Sequence, residues 1–185
     1  MTDLPPDAGP VLTSLARHSI AQRLHVDSPT PAAPDWLDAP GASFVTLTQH
    51  NQLRGCIGSL QAWRSLGDDV TDNARSAAFR DPRFNPLQAT ELSVTAIEVS
   101  VLSAPEPMPF TSREDALAQL RPGIDGVILS ALGSRATFLP QVWDELPDPE
   151  QFVRHLMRKA GLPPTYWGDD VAISRYTVAA FHDET

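Results

Sequence analysis

Apolar positions at helical spacing mark three long segments of this chain as helices. The first stripe runs over about residues 10–25, and the second runs over about residues 66–78. A third helix is predicted from Pro149, where Asp148 can act as the N-cap and Gly161 stands just past the end. These capping residues predict where the third helix begins and ends.

Runs of β-branched residues predict strands between these helices. Two hairpins are expected, over residues 44–59 and 127–139. A long alternating strand is predicted over 92–102, and a last strand is predicted over 171–181. Each hairpin is followed by a helix and then a strand, so the order of elements repeats along the chain.

This order predicts an α+β fold with antiparallel sheets from two hairpin–helix–strand repeats, plus an N-terminal helix. The repeats cover about residues 43–103 and 125–182 of a single domain, 10–185. Because neither half can easily bury its sheet alone, we expect shared or swapped strands and a cleft between two lobes. Residues 1–9 are predicted to be a flexible N-terminus, and the proline-rich segment 28–41 is expected to be the most mobile connection.

Composition narrows the class of protein. The chain has 185 residues with 14 Lys and Arg against 23 Asp and Glu, so the protein is acidic with a net charge of −9. Because phosphate backbones are bound by clustered Lys and Arg, nucleic acid is disfavoured as a partner. Apolar runs are too short to cross a membrane, and the acidic start lacks the basic residues of a signal peptide. We therefore expect a cytoplasmic protein that binds no membrane.

Cofactor and metal signatures are missing from the sequence. Cys56 is the single cysteine, which excludes an internal disulfide and a zinc site built from several cysteines. Metal-binding spacings such as His-Glu-x-x-His and the glycine-rich nucleotide loops do not occur. We predict no bound metal, and the sequence leaves the cofactor unknown.

The densest chemical signal is the segment Leu53–Gly58, which reads Leu-Arg-Gly-Cys-Ile-Gly. Alternation in a strand puts Arg54, Cys56 and Gly58 on one face. A nearby cation favours the thiolate, and the glycines at 55 and 58 let a ligand or another backbone approach closely. Cys56 and Arg54 are therefore candidate catalytic residues, and Gly55 and Gly58 are candidate substrate-binding residues. The alternative is a buried structural cysteine.

Further candidate binding residues follow the second helix. Arg80, Asp81 and Arg83 could form an anion clamp, or an Arg–Asp pair could pin the helix end. Glu98 falls inside an apolar strand, so it needs a partner such as Arg54 or Arg83, or an exposed edge. No histidine has the local signature of a general base, although His182 on the last strand could approach from afar.

The hexapeptide at 53–58 resembles the hallmark of the AMMECR-type family, whose prokaryotic members are called AmmeMemoRadiSam system protein A. Segments 44–47, 79–86 and 98–102 fit the same family in order, and the similarity covers roughly residues 11–182. The resemblance implies an α+β fold with two repeats and swapped strands. It also implies partnership with a radical S-adenosylmethionine protein and a Memo-like protein, but it supplies no reaction, base, substrate or cofactor.

Two functions from different classes remain open at this point. The first is an enzyme or accessory subunit in which Cys56 acts as nucleophile or acceptor on an unknown small molecule or protein. The second is a non-catalytic interaction module in which the cysteine is structural.

Overall fold

The computed structural model describes residues 4–183, which contain four α-helices and eight strands. The helices are α1 (Ala8–Leu24), α2 (Leu66–Phe79), α3 (Arg113–Gln119) and α4 (Pro149–Lys159). The strands are β1 (Ala42–Gln49), β2 (Gln52–Gly58), β3 (Ala96–Leu102), β4 (Glu106–Pro107), β5 (Gly126–Ala131), β6 (Ser134–Phe138), β7 (Ala172–Tyr176) and β8 (Val178–His182). Short 3₁₀ helices occupy Asp35–Asp38, Ala89–Val94 and Pro140–Asp144. Among residues 4–183, no helix has the length and apolar character needed to cross a membrane.

The strands form two antiparallel sheets, which confirms the α+β prediction. The first sheet has the order β2-β1-β3-β8, and the second has the order β4-β7-β5-β6. One compact unit comprises residues 4–103 with 179–183, and the other comprises residues 104–178. The last strand of the chain therefore belongs to the sheet of the N-terminal unit, a sharing of strands between repeats that the sequence predicts.

Both predicted hairpins are present, and each turns through two consecutive residues with a positive φ. In the first hairpin His50 and Asn51 have φ values of 50° and 61°. In the second hairpin Leu132 and Gly133 have φ values of 52° and 75°. Paired left-handed residues match the right-handed twist of the strands that they join. The two turns therefore fix the registers of β1 with β2 and of β5 with β6.

Helix ends agree closely with the predicted caps. The side chain of Asp148 accepts the Gln151 N–H at 3.1 Å, and Pro149 opens α4.

Of the residues 1–9 that are predicted to be flexible, residues 1–3 lie outside the described residues. Ala8 already belongs to α1 and is fully buried, so this helix begins two residues earlier than predicted.

Two predicted strands are shorter than the sequence indicates. The strand expected over 92–102 begins only at Ala96, because the preceding residues form a 3₁₀ helix that opens with a capping box between Gln88 and Glu91. The strand expected over 171–181 is interrupted at Thr177. Its two parts, β7 and β8, join different sheets. Apolar alternation continues through both interruptions, so the pattern alone does not reveal them.

The core of the N-terminal unit forms where α1 and α2 pack on one face of the first sheet. Fully buried side chains from each element meet there, among them Leu12, Val70, Leu47 and Val99. The opposite face carries the alternate residues of the same strands, which are more polar. This arrangement leaves the site residues described below on or beside the face that the helices do not cover.

A buried carboxylate ties α2 to β1. Asp69 is fully buried and accepts hydrogen bonds from the Ser43 N–H at 2.8 Å and the Ser43 hydroxyl at 2.7 Å. Asn73 Nδ2 donates to it at 2.9 Å, and Arg64 Nε donates at 2.8 Å. A buried carboxylate is tolerated because these donors replace the water that it loses.

The core of the C-terminal unit packs aliphatic side chains around an aromatic pair. The rings of Trp143 and Phe152 stack with centroids 3.7 Å apart, and Trp143 Nε1 donates to the Asp125 carbonyl at 2.7 Å. The buried residues of α4 complete this core. Trp143 is therefore a packing residue of this unit.

Candidate functional site

The motif strand β2 carries an irregularity at Arg54. Pairing with β1 joins Thr48 to Leu53 and Leu47 to Gly55, so Arg54 is the extra residue between two registers. An inserted residue shifts the alternation of the strand on one side of it. Leu53 is consequently 43% exposed, although the sequence predicts that it faces the core.

Arg54 makes its ion pair with Glu91. Its Nε donates to Oε1 at 3.0 Å, its Nη2 donates to Oε2 at 3.1 Å, and its guanidinium lies 6.0 Å from the centre of the Phe84 ring. The hydrogen bond from Arg54 lowers the pKa of Glu91. The sequence predicts Arg54 as the cation beside the thiol, but the arginine that contacts Cys56 is Arg83.

Asp81 and Arg83 hold the backbone of Cys56 at the edge of the first sheet. Asp81 Oδ2 accepts the Cys56 N–H at 2.9 Å, and Arg83 Nη2 donates to the Cys56 carbonyl at 3.3 Å. The two side chains also bond each other, with Arg83 Nη2 2.7 Å from Asp81 Oδ2. Because β2 is an edge strand, this pair occupies positions that a neighbouring strand would otherwise fill.

The Asp81 carboxyl is buried and ionised. Hydrogen bonds from Arg83 hold its pKa well below the usual range, and the backbone N–H groups of Cys56 and Arg83 act in the same direction against the effect of burial. The Arg–Asp pair expected at the end of α2 is therefore present, and it also fixes the position of the cysteine.

The two motif glycines are packed against protein atoms. A Cβ at Gly55 would lie 2.2 Å from the Ala77 carbonyl oxygen of α2. A Cβ at Gly58 would lie 2.2 Å from the Phe44 ring. The sequence predicts that a ligand or another backbone approaches these glycines closely. In the structure, α2 approaches Gly55 and the Phe44 ring approaches Gly58, so protein atoms fill the space.

Cys56 is partly exposed and lies in a row of polar side chains that crosses the sheet. Thr46 pairs with Cys56 on one side and with Glu98 on the other. Residues paired in this way put their side chains on the same face, with Cβ atoms about 4.5–5.5 Å apart. The Thr46 hydroxyl donates to Cys56 Sγ at 3.3 Å.

The row continues to the last strand through Glu98. Its Oε1 accepts the Ser100 hydroxyl at 3.0 Å, and its Oε2 lies 3.5 Å from His182 Nδ1 on β8. The sequence predicts a partner for Glu98 at Arg54 or Arg83, whereas the structure pairs it with Ser100 and His182. A thiol, a hydroxyl, a carboxylate and an imidazole thus follow one another across four neighbouring strands.

Arg80 lies apart from these groups. It is exposed at the C-terminal end of α2, where it borders a small cavity of about 300 Å³ with Arg23 and Arg75. The predicted clamp of Arg80 with Arg83 is not formed, because the chain turns between them and Arg83 alone folds back onto β2.

Sequence reasoning missed Thr46, Glu91 and Phe84 as members of the site. Glu91 had a usable signal, since Gln88 and Glu91 stand at capping-box spacing. Thr46 had none, because its contact with Cys56 depends on strand register. Within residues 4–183, no group of three or more His, Cys, Asp or Glu side chains could hold a metal ion.

The fold and this motif strand define a known class of α+β proteins. The AMMECR1 family model matches residues 13–181, and the chain belongs to this family. A protein of Methanothermobacter thermautotrophicus is 37% identical over 96% of this chain and 95% of its own length. Protein SSO0193 of Saccharolobus solfataricus is 37% identical over 94% of this chain and 81% of its own length.

A solved structure is also similar to this chain. The crystal structure of the uncharacterized protein PH0010 from Pyrococcus horikoshii superposes with a TM-score of 0.82 at 32% identity. The match covers 98% of this chain and 94% of that chain. The likeness therefore extends over both units and is not confined to the motif strand.

Proposed function

We propose that the protein is a cytoplasmic cysteine-dependent enzyme, or an accessory enzyme subunit, in which Cys56 is the nucleophile or acceptor. The observation that carries this proposal is the hydrogen bond of 3.3 Å from the Thr46 hydroxyl to Cys56 Sγ on a partly exposed cysteine. A structural cysteine packs as a small apolar group and needs no such donor.

The surroundings of Cys56 also support a fixed nucleophile. Asp81 and Arg83 hold its backbone N–H and carbonyl, so the thiol is carried on a strand that cannot slide along its neighbour. A reactive group held by rigid elements approaches its substrate in one geometry. Arg83 adds a positive charge next to the residue, which favours the thiolate.

Glu98 is the proposed proton acceptor. In the proposed step, the sulfur forms a bond to an electrophilic carbon of the substrate, and the bond from that carbon to its leaving group breaks. For this transfer the Thr46 hydroxyl, which donates to Sγ before the reaction, rotates to accept the thiol proton and passes its own proton to its cross-strand neighbour Glu98. The leaving group takes that proton as it departs with the bonding electrons. His182 is proposed to position Glu98 through the contact at 3.5 Å.

The partners of this activity are proposed to be a radical S-adenosylmethionine protein and a Memo-like protein. The family resemblance supports them. Co-expression of the three proteins with a tag on this chain tests the proposal, because both partners are expected to co-purify with wild type and with the Cys56→Ser variant. Recovery of the tagged chain alone would contradict the partnership.

The thiol chemistry is tested by iodoacetamide labelling of the native protein across a range of pH, with mass spectrometry to locate the label. Wild type is expected to label at Cys56 in the native protein, without denaturant. Thr46→Val is expected to slow labelling near neutral pH by roughly tenfold, since a hydrogen bond to a charged group contributes about 1.5 kcal/mol. Thr48→Val, two residues along the same strand, is the matched control and is expected to label like wild type.

Glu98→Gln is expected to shift the pH profile of labelling, whereas a purely structural role would change only the unfolding midpoint. The charged and titratable groups on the elements beside Cys56 include Arg54 and Glu91 as well as Asp81, Arg83, Glu98 and His182. Labelling only after denaturation, or labelling of Thr46→Val at the wild-type rate, would overturn the proposal. That outcome assigns the chain to the interaction-module class.

A further inference from the structure

A groove of about 720 Å³ lies beside the motif strand, and two arginines flank one aromatic ring in it. Arg54 and Arg83 both line the groove, with Phe84 between them. The guanidinium carbons lie 6.0 Å and 5.5 Å from the centre of the Phe84 ring. The ring holds both cations by cation–π contact, so their spacing is set before any ligand arrives.

The hydrogen bonds of Arg54 leave one nitrogen of its guanidinium group without a partner. Its Nε and Nη2 bind Glu91, but Nη1 is buried and has no partner among the described residues. The Arg54 side chain is only 14% exposed. A buried guanidinium nitrogen without an acceptor is costly, so in native structures such a nitrogen binds a water, an ion or a ligand.

The carboxylates of Glu91 and Asp81, near the groove, are each paired with one of these arginines and with uncharged N–H donors. Glu91 accepts from Arg54, from the Gln88 N–H at 2.8 Å and from Gln49 Nε2 at 3.3 Å. Asp81 accepts from Arg83 and from the Cys56 N–H. These bonds leave N–H groups of the two arginines available to an outside acceptor, and the side chain of Arg83 is 53% exposed.

We infer that this groove binds an oxyanion, a carboxylate or phosphate group carried by a small molecule, between Arg54 and Arg83. Planar guanidinium groups match the geometry of both kinds of oxyanion. The inference rests on the proposed function, since it names the substrate class for the strand that carries Cys56. It also reassigns Arg54 from a residue that activates the thiol to one that binds the ligand.

The inference is tested by NMR on the ¹⁵N-labelled full chain, observing the arginine Nε–Hε signals during titration with inorganic phosphate and, separately, with acetate. Saturable shifts of the Arg54 and Arg83 signals at millimolar concentration are expected from one or both anions. Saturation with phosphate alone assigns a phosphate ligand, and saturation with acetate alone assigns a carboxylate. Equal shifts with chloride at the same ionic strength would overturn the inference.

Variants separate this groove from arginine chemistry elsewhere. Arg83→Gln is expected to weaken anion binding at least about tenfold, and Arg135→Gln, at an exposed arginine on β6, is expected to change it less than about twofold. Because Arg83 also holds Asp81, Arg54→Lys provides a second variant that keeps the charge opposite Glu91 and removes the planar fork. It is expected to weaken anion binding while the variant stays folded, which urea denaturation checks. Saturable shifts at Arg23, Arg75 and Arg80 in place of Arg54 and Arg83 would contradict the assignment.

The same titration on Cys56→Ser keeps the two proposals apart. Anion binding in this variant, together with an unreactive thiol in wild type, supports the groove and overturns the proposed function. A reactive thiol without saturable anion binding has the opposite meaning, since it leaves the proposed function standing and overturns the inference about the groove.

Discussion

The carboxylate of Asp81 accepts the backbone N–H of Cys56 at 2.9 Å, across 25 positions of sequence. One contact thus joins the turn after α2 to the only cysteine of the chain. The same carboxylate binds Arg83, which returns to the Cys56 carbonyl. Stability and reactivity at Cys56 are therefore linked through one buried acid.

Replacing this acid tests the link. Asp81→Asn keeps the size of the side chain but loses the charge that Arg83 and the Cys56 N–H require. We expect a loss of about 2 kcal/mol in the free energy of unfolding, measured by urea denaturation. Asp38→Asn, at an exposed aspartate, is the control and is expected to change stability by less than about 0.5 kcal/mol. Equal losses in both variants would contradict a special role for Asp81.

The low pKa of Asp81 also predicts how stability changes in acid. Its pKa in the folded protein lies below the unfolded value of about 3.9, so the ionised form stabilises the fold above that pH. This contribution is lost as the pH falls below about 4 toward the folded pKa. The difference in unfolding free energy between wild type and Asp81→Asn is therefore expected to shrink between about pH 5 and pH 2. A difference that stays constant over this range would argue against an ionised Asp81.

The two motif glycines are expected to respond differently to compensation. Gly55→Ala and Gly58→Ala each place a Cβ at 2.2 Å from a neighbour, and each is expected to cost about 1–3 kcal/mol in urea denaturation. Phe44→Ala removes the ring that opposes residue 58, so it is expected to recover part of the Gly58→Ala loss in a double-mutant cycle. It should not recover the Gly55→Ala loss, because that neighbour is the backbone oxygen of Ala77. Recovery in both cycles would contradict the contacts at Gly55.

The buried Asp69 and the exposed Asp72 provide a matched pair, since both bind Arg64. Asp69 is fully buried with four donors, whereas the side chain of Asp72 is 50% exposed. Asp69→Asn is expected to lower the free energy of unfolding by about 3 kcal/mol or more, because it disturbs a buried charged network. Asp72→Asn is expected to cost less than about 1 kcal/mol, since exposed ion pairs contribute little. Urea denaturation of both variants measures this difference.

The elements that follow from local pattern were predictable, whereas the contacts that build the site were not. The caps at Asp148 and Pro149 and both hairpins follow from residue type and spacing within a few positions. The interruption at Thr177 could not be predicted, because the residues on both sides of it favour strands. The two strands are separate only because β7 joins one sheet and β8 joins the other.

The site shows the same division between local and distant information. The motif segment 53–58 predicts Cys56 as a site residue. Its simple alternation gives the wrong placement for Arg54, because Arg54 is an extra residue that changes the register of β2. The sequence predicts Asp81 as part of an Arg–Asp pair. Its hydrogen bond with the Cys56 N–H is not predictable, because it depends on the turn that brings Asp81 back to β2. The row from Thr46 to His182 needs four strands in register, which a single sequence does not specify.

The place of β8 has a consequence for a chain that is still being synthesised. The outer edge of β3 is covered by residues 178–182, which are synthesised only after residues 104–177, and Asp183 binds Arg17 and the Ile97 N–H. Until that moment the earlier three strands have an open edge, the kind of surface on which nascent chains aggregate. The N-terminal unit is therefore begun before the C-terminal unit and is completed only after residues 104–178 have been synthesised.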